Sequence, residues 1–131
     1  NPFFDSLEST IAHLAFSVPA VKGIEFGEGF DFANMKGSEA NDEYFIEDEK
    51  VKTYSNNNGG ITGGISNGMP VIFRVVIKPT PSISKEQRTI NIKNMTEEIL
   101  SVNGRHDPCI VQRVLVVIEA IAAISILELI K

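Results

Sequence analysis

Between Ser55 and Gly68 the chain reads SNNNGGITGGISNG, and no other stretch limits the fold as strongly. Five glycines and four asparagines stand in this segment, and glycine reaches left-handed conformations freely. The backbone must turn sharply here or approach something closely. A turn or tight hairpin is one reading. Amides laid bare by glycine could also cradle an anion or a flat ring. The segment is not a Walker loop, since no Lys-Ser or Lys-Thr follows the glycines, and it lacks GxGxxG spacing.

On the N-terminal side, Asp5 with Glu8 resembles a capping box, and Leu7, Ile11, Leu14 and Ala15 recur at helical spacing. Pro19 is expected to end that helix. Ala20–Phe26 reads as a short strand closed by Gly27 and Gly29, and Phe30–Met35 as a helical turn. Gly37–Lys50 is acid-rich and reads as a solvated face without metal-ligand spacing. On the C-terminal side, Val71–Ile77 (VIFRVVI) is the clearest strand, apolar enough to predict cover on both faces. Lys78–Ser84 (KPTPSIS) is a proline-stiffened loop, Arg88–Ile92 and Glu97–Val102 are strands, and Gly104–Cys109 turns into a long C-terminal helix. Helix, several strands, then helix favours an α+β fold with antiparallel strands over a doubly wound parallel sheet.

With 131 residues the chain is expected to form a single domain, 1–131. Its 43% hydrophobic and 22% charged content fits a globular chain. A formal charge of -5 supplies no basic field for a nucleic-acid backbone or an anionic membrane. Cys109 is the one cysteine, so no intrachain disulfide can form, and a cytoplasmic setting is expected. The chain starts at Asn1 rather than Met and has no signal-peptide pattern, so it is expected to be a fragment. Ile110–Ile130 has 16 apolar residues of 21, yet Arg113, Glu119 and Glu128 interrupt it. Each charge near a bilayer centre costs roughly 2.5–3.5 kcal/mol, so a helix buried in a protein core is expected instead.

Two further segments carry more polar specificity than a core needs. KPTPSIS is either an ordinary strand-ending loop or a pre-ordered site in which Lys78, Thr80 and Ser82 meet a phosphorylated ligand. GRHDPC reads first as a helix start, with Asp107 as N-cap and Pro108 at the first helical position. It also sets Arg105, a permanently charged planar fork, beside a helix N-terminus, where anions are favoured. His13 and His106 form no metal pair, and no metal is expected. Cys109 in the first helical turn reads as a packing residue without a partner base.

SNNNGGITGGISNG, KPTPSIS, RTI (Arg88–Ile90) and GRHDPC, in this order and continuing to Glu119 and Ala120, resemble the chorismate synthase family. PAVKGIEFGEGF (Pro19–Phe30) and GSEAND (Gly37–Asp42) extend the resemblance over nearly the whole chain. Each motif alone is modest, and the ordered set is specific. The resemblance implies a lyase of the shikimate pathway of aromatic amino acid biosynthesis. Its members convert 5-enolpyruvylshikimate 3-phosphate to chorismate and phosphate by a 1,4-elimination, using reduced FMN without net redox change. It also implies an antiparallel β-α-β sandwich and a homotetramer. Carried over motif by motif, Ala20, Gly63, Lys78, Pro79, Thr80, Pro81, Ser82 and Arg105 would contact FMN. Arg105 would also bind substrate, and Asp107 would be the catalytic proton acceptor or relay near the flavin N5.

The sequence departs from the family's pattern in places. Pro19 stands where a small polar residue is expected, and Val114 and Leu115 where a proline is expected soon after Arg113. The family's Gly-Glu-Ser-His segment, its arginine-rich phosphate site and its catalytic histidines have no counterpart, so neither His13 nor His106 takes those roles. The resemblance thus implies a C-terminal portion, inactive by itself. The competing reading is a non-catalytic module derived from the family that keeps this part of the site for ligand binding or assembly. An upstream Gly-Glu-Ser-His segment in the same gene would decide for the enzyme.

Overall fold

The computed structural model describes residues 2–105, 107 and 109–130. It is an α+β structure built from antiparallel strand pairs and a long C-terminal helix. Its elements run α1 (Leu7–Ala15), β1 (Val21–Phe26), a 3-10 turn (Gly29–Asn34), α2 (Gly37–Ala40), β2 (Tyr44–Glu47), β3 (Lys50–Thr53), β4 (Ile61–Thr62), β5 (Ile65–Ser66), β6 (Phe73–Ile77), β7 (Gln87–Asn91), β8 (Thr96–Leu100) and α3 (Val111–Leu129). The strands pair as β1–β6, β2–β3, β4–β5 and β7–β8. Two compact units emerge, one of Asn1–Lys78 with Leu115–Lys131, the other of Pro79–Val114.

In the first unit, α1 presents Leu7 and Ile11 to the β1–β6 pair. These two residues and Ile61 are buried, with Ile24, Phe26, Val71 and Phe73 packed around them. Phe26 and Phe73 are register partners whose rings lie 5.9 Å apart. Cross-strand aromatic pairs of this kind are a main source of sheet stability. Glu25 and Arg74 are also opposite each other and form an ion pair at 2.9 Å.

Several sequence expectations need correction here. Ser6 rather than Asp5 caps α1, its Oγ accepting from the Ser9 amide at 3.0 Å. A short serine side chain one residue before the helix has the reach that capping requires. The helix stops at Ala15, well before Pro19, because the amides of Ser17 and Val18 take tighter bonds to Leu14 and Ala15. Among the described residues strand β6 pairs with β1 alone, and its residues alternate half-buried and exposed, with Val76 59% exposed. Cover on both faces is thus not what this chain provides. The same holds for α3, where only Ile121 and Ser125 are buried and Leu127 is 68% exposed. An apolar helix surface of this size needs a partner that these residues do not supply.

The acid-rich stretch holds a hairpin that its composition does not announce. Strands β2 and β3 are joined by Asp48 and Glu49, at φ of 49° and 61°. Two-residue hairpin turns favour Asn-Gly because both positions are left-handed, and a glutamate there carries steric strain. Glu49→Gly is expected to raise unfolding free energy by about 0.5–1 kcal/mol, the relief of strain exceeding glycine's extra unfolded-state entropy. Thermal unfolding of the two proteins side by side checks this, and a lower melting temperature for the glycine variant would contradict it.

Candidate functional site

The β1–β6 pairing brings two of the sequence-predicted residues together in the first unit. The Lys78 amide donates to the Ala20 carbonyl at 2.7 Å, just outside the Val21–Ile77 register pair. Ala20 has a φ of 71°, and so does not extend β1 as the sequence suggested. A non-glycine residue in the left-handed region is uncommon and costs free energy, and such strain concentrates at functional positions. The Lys78 side chain is exposed and has no hydrogen-bond or ion-pair partner among the described residues.

Gly63 stands on a different element of the same unit. Gly63 and Gly64 form the two-residue turn of the β4–β5 hairpin, at φ of 61° and 83°. The two faces of that turn differ. A side chain on Gly64 would meet Ser6 Cβ at 2.8 Å, and the Gly64 carbonyl accepts from the Leu7 amide at 2.9 Å. A side chain on Gly63 would meet nothing within 4 Å. The start of α1 therefore clamps one glycine and leaves the other open to an approaching ligand.

The base of the Asn-Gly segment is tightly built, and its organiser is a residue that sequence reading placed among solvated acids. Asp42 is 4% exposed. Its Oδ1 accepts from Ser55 Oγ at 2.7 Å and the Asn57 amide at 2.8 Å, and its Oδ2 from the Asn58 amide at 2.9 Å. Burial pushes this carboxyl up, but the hydrogen bonds from Asn58, Ser55 and Asn57 outweigh it and hold the group below its ordinary value. Asn56 continues the framework, accepting from the Gly60 amide at 2.7 Å and donating to the Pro70 carbonyl at 2.9 Å. A side chain on Gly27 would fall 1.9 Å from the Asn57 carbonyl, so only glycine permits this approach.

The second unit carries the remaining predicted residues. In the loop after Lys78, Thr80 is half-buried, whereas Pro79, Pro81 and Ser82 are exposed. The Pro81 carbonyl accepts from Gln87 Nε2 at 3.0 Å and the Ser84 carbonyl from Ser101 Oγ at 2.9 Å, so the β7–β8 hairpin steadies this loop. Arg105 is exposed, with no ion-pair partner among the described residues. Asp107 is not the N-cap of α3, which starts only at Val111, where the Arg113 and Val114 amides turn to the Ile110 carbonyl. Its carboxylate instead forms a two-pronged ion pair with Arg113, at 2.7 Å and 3.3 Å. Cys109 likewise precedes the helix and is exposed, so it is not a packed residue of a first helical turn. His106 and Pro108 lie outside the described residues.

A cavity of about 600 Å³ also lies in the first unit, lined by Leu7, Gly64, Ile65, Val71, Ile126 and Leu129 among others. None of the predicted ligand-contacting residues lines it. Among the described residues, no three His, Cys, Asp or Glu side chains gather as a metal site. No helix among them is long and apolar enough to cross a membrane.

Comparison with known proteins settles the ancestry. The family model for chorismate synthase matches residues 1–130. This chain belongs to the chorismate synthase family. It is 58% identical over 128 residues to the chorismate synthase of Chitinophaga pinensis, covering 98% of this chain and 38% of that one. Against the chorismate synthase of Methanobrevibacter smithii it is 50% identical over 128 residues, covering 98% and 35%. A solved structure described as a crystal structure of chorismate synthase superposes with a TM-score of 0.56 at 41% identity, over 59% of this chain and 23% of that one. The chain thus spans little more than a third of the length of the curated chorismate synthases it matches.

Asp42 and Arg113 are engaged residues that the sequence did not single out. A usable signal for Asp42 existed. Consecutive backbone amides in an Asn-Gly turn need an acceptor, and short acidic side chains bind such amides best. Arg74, the one charged residue of the Val71–Ile77 stretch, is engaged as well. It pairs with Glu25, and its guanidinium also donates to the carbonyls of Gly27 and Glu28, at 3.1 Å and 3.3 Å.

Proposed function

We propose that this chain is the C-terminal portion of a chorismate synthase that converts 5-enolpyruvylshikimate 3-phosphate to chorismate and phosphate with reduced FMN. The observation that carries the reading is the family match over residues 1–130. The local chemistry suits a phosphorylated flavin. Lys78 offers an exposed cation with no side-chain partner among the described residues, Gly63 an open backbone at a left-handed turn, and Pro79 and Pro81 a loop of restricted freedom.

In this reading Ala20, Gly63 and Lys78 of the first unit contact FMN. So do Pro79, Thr80, Pro81, Ser82 and Arg105 of the second. Arg105 also favours the substrate's negative charge, as a guanidinium suits phosphate or carboxylate. FMN, once bound and reduced, supplies transient electron density while phosphate leaves, with no net redox change. The elimination releases a proton from carbon as the carbon–oxygen bond to phosphate breaks, and Asp107 takes up or relays that proton. The full enzyme is cytoplasmic and homotetrameric. Its remaining sequence covers the apolar surface of α3 and supplies the acid–base histidines and the phosphate site.

Lys78→Ala in the full-length enzyme tests the flavin assignment. A charge-assisted hydrogen bond is worth about 1.5–3 kcal/mol, so FMN should bind about ten- to a hundredfold more weakly. Fluorescence titration reads the dissociation constant directly, and an unchanged value would place the loop away from the flavin.

A further inference from the structure

We propose that Arg113 is the positioning residue for Asp107, fixing through its guanidinium fork the carboxylate that handles the proton of the elimination. The inference rests on the reading of Asp107 as that carboxylate and adds what holds it in place.

The first observation is negative. Capping would have tied Asp107 to the helix amides, but α3 begins at Val111. The amides of Arg113 and Val114 are already used by the Ile110 carbonyl, at 3.0 Å and 3.1 Å. Without another tether, a carboxylate in the segment leading into α3 would sample several rotamers, and a proton acceptor needs one.

The second observation is the fork itself. Arg113 Nη1 stands 2.7 Å from Asp107 Oδ2, and Nη2 donates to Oδ1 at 3.3 Å. Two parallel contacts between planar groups set the distance and also the plane of the carboxylate, which a single ammonium contact does not. Arg113 is suited to the task because it belongs to the first turn of a nineteen-residue helix and its amide is bonded within that turn.

The third observation separates positioning from stability. The side chains of Arg113 and Asp107 are 77% and 46% exposed. Exposed pairs contribute little to folding. The pair acts on where the carboxylate points rather than on stability.

The test is a double-mutant cycle in the full-length enzyme with FMN and substrate saturating. Arg113→Ala is expected to lower kcat about tenfold to a hundredfold, the scale of a small misplacement of a reacting group. KM, the FMN dissociation constant and the melting temperature should hardly move. Arg113→Lys should restore part of the rate, since the charge returns without the fork. In an Asp107→Asn background, Arg113→Ala should change kcat by less than about twofold, because residues acting through one another are not additive. Arg113→Gln serves the same cycle if the alanine variant does not fold. Equal losses in both backgrounds would overturn the proposal, as would a raised KM at unchanged kcat. A silent Arg113→Ala beside a damaging Asp107→Asn sinks the positioning role alone, whereas a silent Asp107→Asn removes the proton-handling reading and this inference with it.

Discussion

Asp107→Asn is expected to lower the turnover of the full-length enzyme by about 10²–10⁴-fold, the range lost with a general acid or base, while FMN remains bound. In sequence, Asp107 had two competing duties, capping a helix and handling a proton. The structure removes the first, since α3 starts at Val111 and the carboxylate faces Arg113 instead. Asparagine keeps the size of the side chain and one acceptor for the guanidinium, but it cannot take up a proton as a carboxylate does. The melting temperature should therefore stay nearly constant, because an exposed ion pair is worth about 0–1 kcal/mol. Steady-state turnover at saturating substrate is the deciding measurement. An asparagine variant that works at the normal rate would strike Asp107 from the reaction.

Asp42→Ala should give the largest loss of stability of any side-chain truncation considered, on the order of 3–5 kcal/mol. The carboxylate is 4% exposed and accepts from Ser55 Oγ and from the amides of Asn57 and Asn58. Alanine would leave those donors inside the fold with no acceptor. Asp42→Asn should cost less, about 1–3 kcal/mol, since its oxygen can still serve two donors while its amide group meets the Asn58 N–H. The pH dependence has a definite sign. The folded state holds this carboxyl below its ordinary value of 3.8, so the unfolded chain binds its proton more readily. The stabilisation is complete above that value and is lost as pH falls below it through the folded value. Chemical denaturation from neutral pH to pH 3 should show wild type losing its advantage over Asp42→Asn, and a constant gap would refute the assignment.

The strands that were legible are those whose information is local. Arg88–Ile92 and Glu97–Val102 read as strands, and the structure pairs Gln87–Asn91 with Thr96–Leu100 as a hairpin of near neighbours in sequence. The GG dipeptide at Gly63–Gly64 marks its hairpin because the turn itself demands two left-handed residues. The β2–β3 hairpin escaped notice for the converse reason, since Asp48 and Glu49 occupy a left-handed turn without the residues that advertise one. The start of α1 slipped by one residue, because the capping bond comes from Ser6 and not from Asp5 as the sequence suggested.

The identity and order of the motifs from Pro19 to Ala120 were enough, by themselves, to place the chain in its family, because a ligand site is written as specific residue types at specific spacings. What each residue does within the fold depended on contacts that spacing does not encode. Asp42 and Glu39 belong to one acidic run, yet Asp42 is buried and Glu39 is exposed. The distinction lies in Asn57 and Asn58, whose amides reach Asp42 only after the chain has folded back on itself. Ala20 and Lys78 likewise meet only through the β1–β6 register. Burial and partnership are properties of chain segments remote in sequence, and their free energy appears only when those segments are brought together and water is excluded from between them.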